Sequence, residues 1–466
     1  MGAGGKMGGV IMRRNIAVIA LLLLTSVVSL TLGCPEPQGS GGLLEVGAVN
    51  HPDITSDNAG GAYAVYQVYL SQTGVNQFYL QRISPEGACL WGERGVLIGE
   101  ASGNLDIDTL GVMADDNGDA IAAWCDWWND VMYVTKVDSQ GEILWQEAIY
   151  DLKYASHIVS DGAGGIIYIV GETGLQRRDA EGKLVWDRPG FLVEEEVADR
   201  IIASDGAGGA FIVTIEKGSE KSVRVQRIDS EGNCPWSQGA VTIFYRTIDE
   251  ASDFSEEASA RIIADGTGGA FVVWSERDPD ETKSQRELMS ALRLSGDGEV
   301  VWQKRGLPGR LVDYDMYLVT DNEGNALVFW KYVAGLEGQK ISPEGELLWS
   351  GYKSYRLDGF SYNVVAGGDN GAIIGSCSMY DGRSMEAQII DEYGHPLFPE
   401  AVALSDDNQV HSWRFMMAAD GEGGALFAWG SSENVYSVEH SSVQRLSAEG
   451  ERLWGDSGIR LDDWNQ

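Results

Sequence analysis

The sequence predicts an all-β protein, a single eight-bladed β-propeller of four-stranded antiparallel blades, and three observations predict it. An Asp-x-x-Gly-Gly-Ala turn recurs along the chain. Its Ala falls at Ala62, Ala120, Ala210, Ala270, Ala326, Ala372 and Ala425, with Ile166 in the third copy, at steps of 44 to 60 residues. A second landmark alternates with the first without a slip: a turn Gly followed four residues later by an aromatic. The pairs are Gly87/Trp91, Gly141/Trp145, Gly182/Trp186, Gly232/Trp236, Gly298/Trp302, Gly345/Trp349, Gly394/Phe398 and Gly450/Trp454. The third observation is that the extra length of long copies falls in only two of the four connections. Periods of about 40–55 residues carrying four strands are the signature of propeller blades.

Residues 261–302 show the unit. The apolar run Arg261-Ile262-Ile263-Ala264 turns through Asp265-Gly266-Thr267-Gly268-Gly269 into Ala270-Phe271-Val272-Val273-Trp274. A charged loop leads to 288–294, and a turn at Ser295-Gly296-Asp297-Gly298 leads to Val300-Val301-Trp302. This reads as four strands, a to d, with tight a–b and c–d turns. Up-and-down geometry puts those two turns on one uniform face. The b–c loop and the link to the next blade lie on the other: five residues separate Val170 from Gln176, and 17 separate Trp274 from Leu292. A stacked solenoid tolerates such variation poorly; a ring accepts it in the loops of one face. The propeller is expected over 43–466, with repeats near 51–107, 108–155, 156–200, 201–260, 261–317, 318–363, 364–415 and 416–466. The seventh copy is the weakest, and its loss would leave seven blades.

Asp-Ser-Gln-Gly-Glu-Ile-Leu-Trp (138–145), Asp-Ala-Glu-Gly-Lys-Leu-Val-Trp (179–186) and Ser-Pro-Glu-Gly-Glu-Leu-Leu-Trp (342–349) resemble the tryptophan-docking repeats of quinoprotein-type eight-bladed propellers. That group includes quinone-dependent dehydrogenases and a non-catalytic lipoprotein of the outer-membrane β-barrel assembly machinery. The Asp-Gly-x-Gly-Gly half of each repeat differs from it. The resemblance implies that Trp91, Trp145, Trp186, Trp236, Trp302, Trp349, Phe398 and Trp454 wedge against neighbouring blades and lock the ring. Recurrence points the same way: a binding site needs one such residue, a blade interface one per blade.

Residues 1–33 carry Lys6, Arg13, Arg14 and no acid, then an apolar run from Ile16 to Leu32, the pattern of a secretory signal. Thr31-Leu32-Gly33-Cys34 resembles a bacterial lipobox, with Thr31 where Leu is usual. The resemblance implies cleavage before Cys34 and acylation there. An uncleaved anchor or simple secretion are the alternatives, and each leaves the body outside the cytoplasm. Residues 34–42, rich in Pro, Gly and Ser, form a tether.

Removal of 1–33 takes the formal charge from −36 to −39, since three basic residues and no acid are lost. Such acidity argues against nucleic acid and against direct docking on anionic lipid, which need Lys and Arg against phosphate. Hydrophobic residues make up 44% and Trp numbers 15, enough for a large core rather than a disordered chain. Cys89 and Cys234 occupy one repeat position and Cys125 and Cys377 another, in non-neighbouring repeats, so no bridge is expected between them.

The turn acids Asp57, Asp115, Asp161, Asp205, Asp265, Asp321 and Asp420 are expected to bond their own backbone. Calcium is the alternative, and only 115–119 and 321–325 approach the oxygen density it needs. A basic residue precedes the c–d turn in seven repeats: Arg82, Lys136, Arg177, Arg227, Arg293, Lys340 and Arg445, most of them after a Gln. The seventh repeat has Ile389 there and Gly367 in place of the turn Asp. Loss of both in one blade predicts that acid and base pair within each of the others. A shared anion site for the basic ring is the alternative.

The chain carries no Gly-x-Ser-x-Gly elbow, phosphate loop, haem motif or adjacent Cys pair, and its five His lack metal spacing. No cofactor is expected. Trp124-Cys125-Asp126-Trp127-Trp128-Asn129-Asp130 is the one unusual stretch of the variable face. Trp127 and Trp128 have no counterpart in other repeats, and with Asp126 and Asp130 they suit sugar stacking or a partner's hot spot; covering the blade edge is the plain alternative. The expectation is a monomeric, envelope-anchored scaffold binding protein or glycan. The competing reading is a hydrolase or lyase using central-channel carboxylates, and a cluster of non-repeating axial acids would favour it.

Overall fold

Each repeat folds as an up-and-down sheet because its two short turns force antiparallel neighbours while its apolar runs bury both sheet faces. The computed structural model describes residues 46–47, 52–70, 72–102, 110–126, 129, 131–150, 158–170, 174–187, 197–216, 220–247, 259–277, 287–307, 315–332, 335–357, 359, 361–377, 385–406, 415–431 and 440–462. They form eight antiparallel sheets arranged as a ring, with no helix among them. Blade one has Asp53–Ser56, Ala62–Leu70, Val75–Ile83 and Val96–Ser102, and Val46–Gly47 also pairs with its second strand. Blade two has Leu110–Ala114, Ala120–Asp126, Val131–Val137 and Ile143–Tyr150. Blade three has Ile158–Ser160, Ile166–Val170 and Gly174–Arg178, its fourth position marked by an Arg178–Leu184 bridge. Blade four has Val197–Ser204, Ala210–Glu216, Glu220–Ile228 and Val241–Thr247, and blade five Ala260–Ala264, Ala270–Arg277, Glu287–Leu294 and Val300–Lys304. Blade six has Met316–Thr320, Ala326–Tyr332, Gly335–Ile341 and Lys353–Tyr355. Blade seven has Ser361–Ala366, Ala372–Cys377, Met385–Ile390 and Val402–Ala403, so the weakest copy does form a blade. Blade eight has Phe415–Ala419, Ala425–Ser431, His440–Leu446 and Ile459–Arg460.

The a strands line the centre, and that of blade one touches those of blades two and eight, closing the ring. Among the described residues each terminal blade supplies its own four strands, and none is exchanged at the closure. The core is not one mass but eight apolar clusters, one in each seam between neighbouring blades. Trp124, Trp274, Trp330 and Trp429, at the fifth position of strand b, lie fully inside them. In blade two Trp124 stacks between Phe78 of blade one and Tyr133, ring centres 4.1 and 4.2 Å away. Apolar burial, repeated in every seam, is the dominant stabilising term.

The Gly-Gly-Ala motif has a steric cause. A Cβ at Gly61 would lie 2.2 Å from the Ile83 carbonyl oxygen, where strand c ends. The following Ala62 is fully buried where the blades converge. Two repeats end the turn with Asp119 or Asn325 instead, and these same two carry Lys136 and Lys340 where five others carry Arg.

Strand d departs from expectation. The segment reaching the docking Trp is continuous strand only in blades two and five, where Trp145 pairs with Lys136 and Trp302 with Arg293. In blades one, six and eight a glycine with positive φ soon follows the Trp (Gly92, Gly351, Gly455) and breaks the ladder. The regular d strand forms further along. Cys89 and Cys234 are exposed, whereas Cys125 and Cys377 are buried.

Candidate functional site

On the uniform face every turn Asp divides its carboxylate. In blade three, Oδ1 of Asp161 accepts the amides of Ala163 and Gly165 at 2.8 and 2.7 Å. Its Oδ2 accepts Arg177 Nε at 2.9 Å, with Nη2 at 2.8 Å. The same pairing joins Asp57 to Arg82, Asp115 to Lys136, Asp205 to Arg227, Asp265 to Arg293, Asp321 to Lys340 and Asp420 to Arg445, at 2.7–2.9 Å. The predicted ion pairs are therefore present in all seven repeats that have the residues, and the shared-anion reading falls because each cation has a carboxylate. These pairs are nearly dry on the acid side, the Asp side chains being at most 2% exposed. In the two loops with calcium-like density, the ammonium groups of Lys136 and Lys340 stand 2.7 Å from Asp115 and Asp321, where a cation would sit.

Each base also reaches the next blade. Arg82 donates to Ser139 O, Lys136 to Gly164 O, Arg177 to Ser230 O, Arg227 to Gly296 O, Arg293 to Pro343 O, Lys340 to Asn370 O and Arg445 to Gly60 O. The indoles do likewise. Trp91, Trp145, Trp186, Trp236, Trp302, Trp349 and Trp454 donate Nε1–H to Ser139, Ala180, Ser230, Gly296, Pro343, Glu392 and Pro85. Each ring covers the turn glycine of the following blade, and Phe398 covers Gly450 with no N–H to give.

The glutamines before the bases have a role that the sequence reading left unassigned. Gln81 Oε1 accepts the amides of Arg82 and Trp91, and its Nε2 donates to Gly92 O at 2.7 Å. Gln339 and Gln444 bind Trp349 and Trp454 in the same way. The side chain thus replaces the c–d ladder where the glycine breaks it. Blades two and five, with Thr135 and Leu292 at this position, are those whose ladder runs through the Trp. The repeated Gln was the signal, and the glycine after the Trp was its missing companion.

On the variable face, Asp126 ends strand b of blade two and is buried rather than offered to solvent. It accepts the Asn129 amide at 3.2 Å and Asn129 Nδ2 at 2.7 Å, tying down the loop exit. Trp127, Trp128 and Asp130 lie outside the described residues, as do Cys34 and the whole of 1–42. At the same face of blade eight, His440 Nδ1 meets Asp462 Oδ2 at 3.0 Å.

On the innermost strands, four residues before the turn position held by Asp in seven repeats and by Gly367 in the seventh blade, stand Asp53, Gly111, Ile201, Arg261, Tyr317, Asn363 and Met416. Burial pushes the Asp53 carboxyl up to about 6, against the pull of amides from Val112 and Ile54. Both oxygens are engaged, Oδ2 by Val112 N of blade two and Oδ1 by Ile54 N, each at 2.9 Å. Among the described residues no second acid holds this repeat position. Asp119 is also raised, by burial and then by neighbouring Asp115, with Lys136 opposing.

No protein-family model matches the chain, and no curated protein sequence matches it. Solved structures resemble it in fold. It is similar to a puromycin hydrolase (S511A mutant) at 13% identity and a TM-score of 0.41, covering 82% of this chain and 58% of the hydrolase. The C-terminal WD40 domain of Sif2 is 12% identical with a TM-score of 0.44, over 86% and 96% of the two chains. The β-propeller domain of the Trilobed protease from Pyrococcus furiosus is 9% identical with a TM-score of 0.42, over 90% and 99%. The chain thus spans little more than half the length of the hydrolase.

Proposed function

We propose that the protein is an extracytoplasmic propeller, anchored by lipid at Cys34, that works as a non-catalytic scaffold for a protein or glycan partner through its variable-loop face. The observation that carries this reading is the engagement of the uniform face. Its seven acids and seven bases are tied to each other and to the next blade, so recognition falls to the opposite loops. Trp127, Trp128 and Asp130 are the contact residues of this proposal, and Asp126 acts as the organiser of their loop. The recurring docking Trp supports kinship with quinoprotein-type propellers, and the lack of an adjacent Cys pair favours the non-catalytic lipoprotein over the dehydrogenases of that group. No metal or cofactor has a part in this reading, and the protein acts as a monomer.

A hydrolase or lyase is the second reading, favoured by the raised Asp53 carboxyl at the channel. Against it, both Asp53 oxygens hold backbone amides, a bracing role rather than that of a free acid or base.

The deciding experiment is a cross-linked pull-down from the native envelope, with wild type beside the Trp127→Ala/Trp128→Ala variant. A stoichiometric partner present with wild type and lost with the variant supports the scaffold. Recovery of the same partner by both removes the site from this loop, and an empty pull-down from wild type sinks the scaffold reading for a macromolecular partner.

A further inference from the structure

We infer that the ring opens at the seam between blades seven and eight, while blade eight stays docked on blade one. The chain does not cross the seam between blades eight and one, so that closure would be the natural weak point. It is instead strongly held. Arg445, only 5% exposed in its side chain, bonds Asp420, Glu422 and the Gly60 carbonyl of blade one. Trp454 donates to Pro85 O at 3.0 Å, and Ser56 Oγ of blade one donates to Asp420 O at 3.1 Å.

Blade seven lacks each of these devices toward blade eight. Ile389 replaces the base and is buried in the apolar cluster of the seam, Gly367 replaces the acid, and Phe398 replaces the indole donor. Among the described residues, no basic or indole group donates to the Ala448 carbonyl, the counterpart of the acceptor that an indole uses in all seven other seams. The seam retains apolar contact, backbone bonds from Gly368 N to Gly423 O at 2.8 Å and from Asp406 N to Asp456 O at 3.0 Å, and Gln444 Nε2 to Leu404 O at 3.3 Å. Its ion pair, Arg452 to Asp406 at 2.6 Å, lies outside, with Asp406 62% exposed, where solvent and salt screen it. Opening here leaves blades seven and eight joined by their covalent link, so the ring can reclose.

The chain carries its own matched probes. Cys377 and Cys125 hold equivalent positions in blades seven and two, and both are buried, Cys377 in the seven/eight cluster and Cys125 in the two/three cluster. Native-state labelling with a thiol-reactive disulfide is read site by site by mass spectrometry. Each rate is normalised to that of the unfolded chain, with exposed Cys89 and Cys234 as fast references. Cys377 is expected to react about tenfold or more faster than Cys125, a difference of about 1.4 kcal/mol in opening, and faster still at high salt. The Phe398→Trp variant, which restores the indole donor, should slow Cys377 and leave Cys125 unchanged. Equal normalised rates in wild type, or a faster Cys125, overturn the inference without any appeal to the variant.

Discussion

Arg177 and Ser230 belong to different blades, yet the guanidinium donates to the Ser230 carbonyl at 3.1 Å while its Nε holds Asp161. The same carbonyl accepts the Trp186 indole at 3.0 Å. One oxygen therefore gathers the turn of blade three, the buried ion pair and the docking aromatic. Seams one/two, two/three, four/five and five/six repeat this convergence on Ser139, Ala180, Gly296 and Pro343. Apolar packing holds the seams together without direction, and these polar contacts fix where each blade sits on the next.

The two turn acids of blade four separate turn chemistry from blade stapling. Asp205 accepts the amides of Ala207 and Gly209 and also binds Arg227, with its side chain 1% exposed. Asp229 accepts only the Glu231 and Asn233 amides, at the surface. Asp205→Ala strands a basic group and should cost about 3–5 kcal/mol. Asp229→Ala should cost about 1 kcal/mol. Urea unfolding of both variants measures the difference, and equal losses would mean that the ion pair adds nothing to the turn.

Convergence on one carbonyl predicts energetic coupling. A double-mutant cycle of Arg177→Met and Trp186→Phe should give an interaction energy of about 0.5–3 kcal/mol, because both donors share Ser230 O. The same cycle at Lys340 and Trp349 should give less, since these donate to separate carbonyls, Asn370 and Glu392. Trp186→Phe alone should cost about 1 kcal/mol through the lost hydrogen bond, and Phe398 shows that a phenyl ring fits such a site. Trp186→Ala, which also empties the contact with Gly232, should cost about 3–5 kcal/mol. If Trp186→Ala cost no more than Trp186→Phe, blade locking by these rings would be refuted.

The ring and its ion pairs were legible because each is written seven or eight times. The seventh repeat, with Ile389 and Gly367 in place of base and acid, even identified which acid meets which base. Strand d was misread because a single residue, the glycine after Trp91 or Trp454, outweighs the β propensity of the run before it. The Gln that compensates acts across ten residues, beyond the reach of local pattern. Asp53 was invisible for a related reason. Its position is Gly111, Ile201, Arg261 or Tyr317 in other repeats, so no periodicity marks it, and only the closed ring brings it to Val112. The variable face carries the least repetition, and there sequence offered only unusual residues such as Trp127 and Trp128.

Asp53 makes a pH prediction with a defined sign. Its carboxyl rises from an ordinary value near 3.8 to about 6 in the folded ring. Stability from this group is therefore fully present below about pH 4 and is lost as pH rises through about 6. Asp53→Asn keeps an oxygen for the Ile54 amide, as Asn363 does for Val364, and cannot titrate. The stability of wild type relative to this variant should fall between pH 4 and 7. A carboxyl resonance with a midpoint near 6, absent from the variant, would assign the titration, whereas a midpoint near 4 would show that the channel is open to water.

The proposed lipid anchor at Cys34 is tested by one substitution, which separates a lipoprotein from an uncleaved anchor and from a secreted protein. A lipoprotein is cut before Cys34 and acylated there, so Cys34→Ser should abolish incorporation of a labelled fatty acid and leave the N-terminal segment uncut. An uncleaved anchor would sit in the membrane with either residue and take up no label. A simply secreted protein would appear outside the membrane in both cases. Fractionation with fatty-acid labelling and N-terminal mass analysis distinguishes them, and the expected outcome is a labelled, membrane-bound wild type that starts at Cys34. Several acyl chains on one residue hold far more firmly than a single reversible one. Wild type should therefore resist extraction by high salt, which an acidic body docked by charge alone would not.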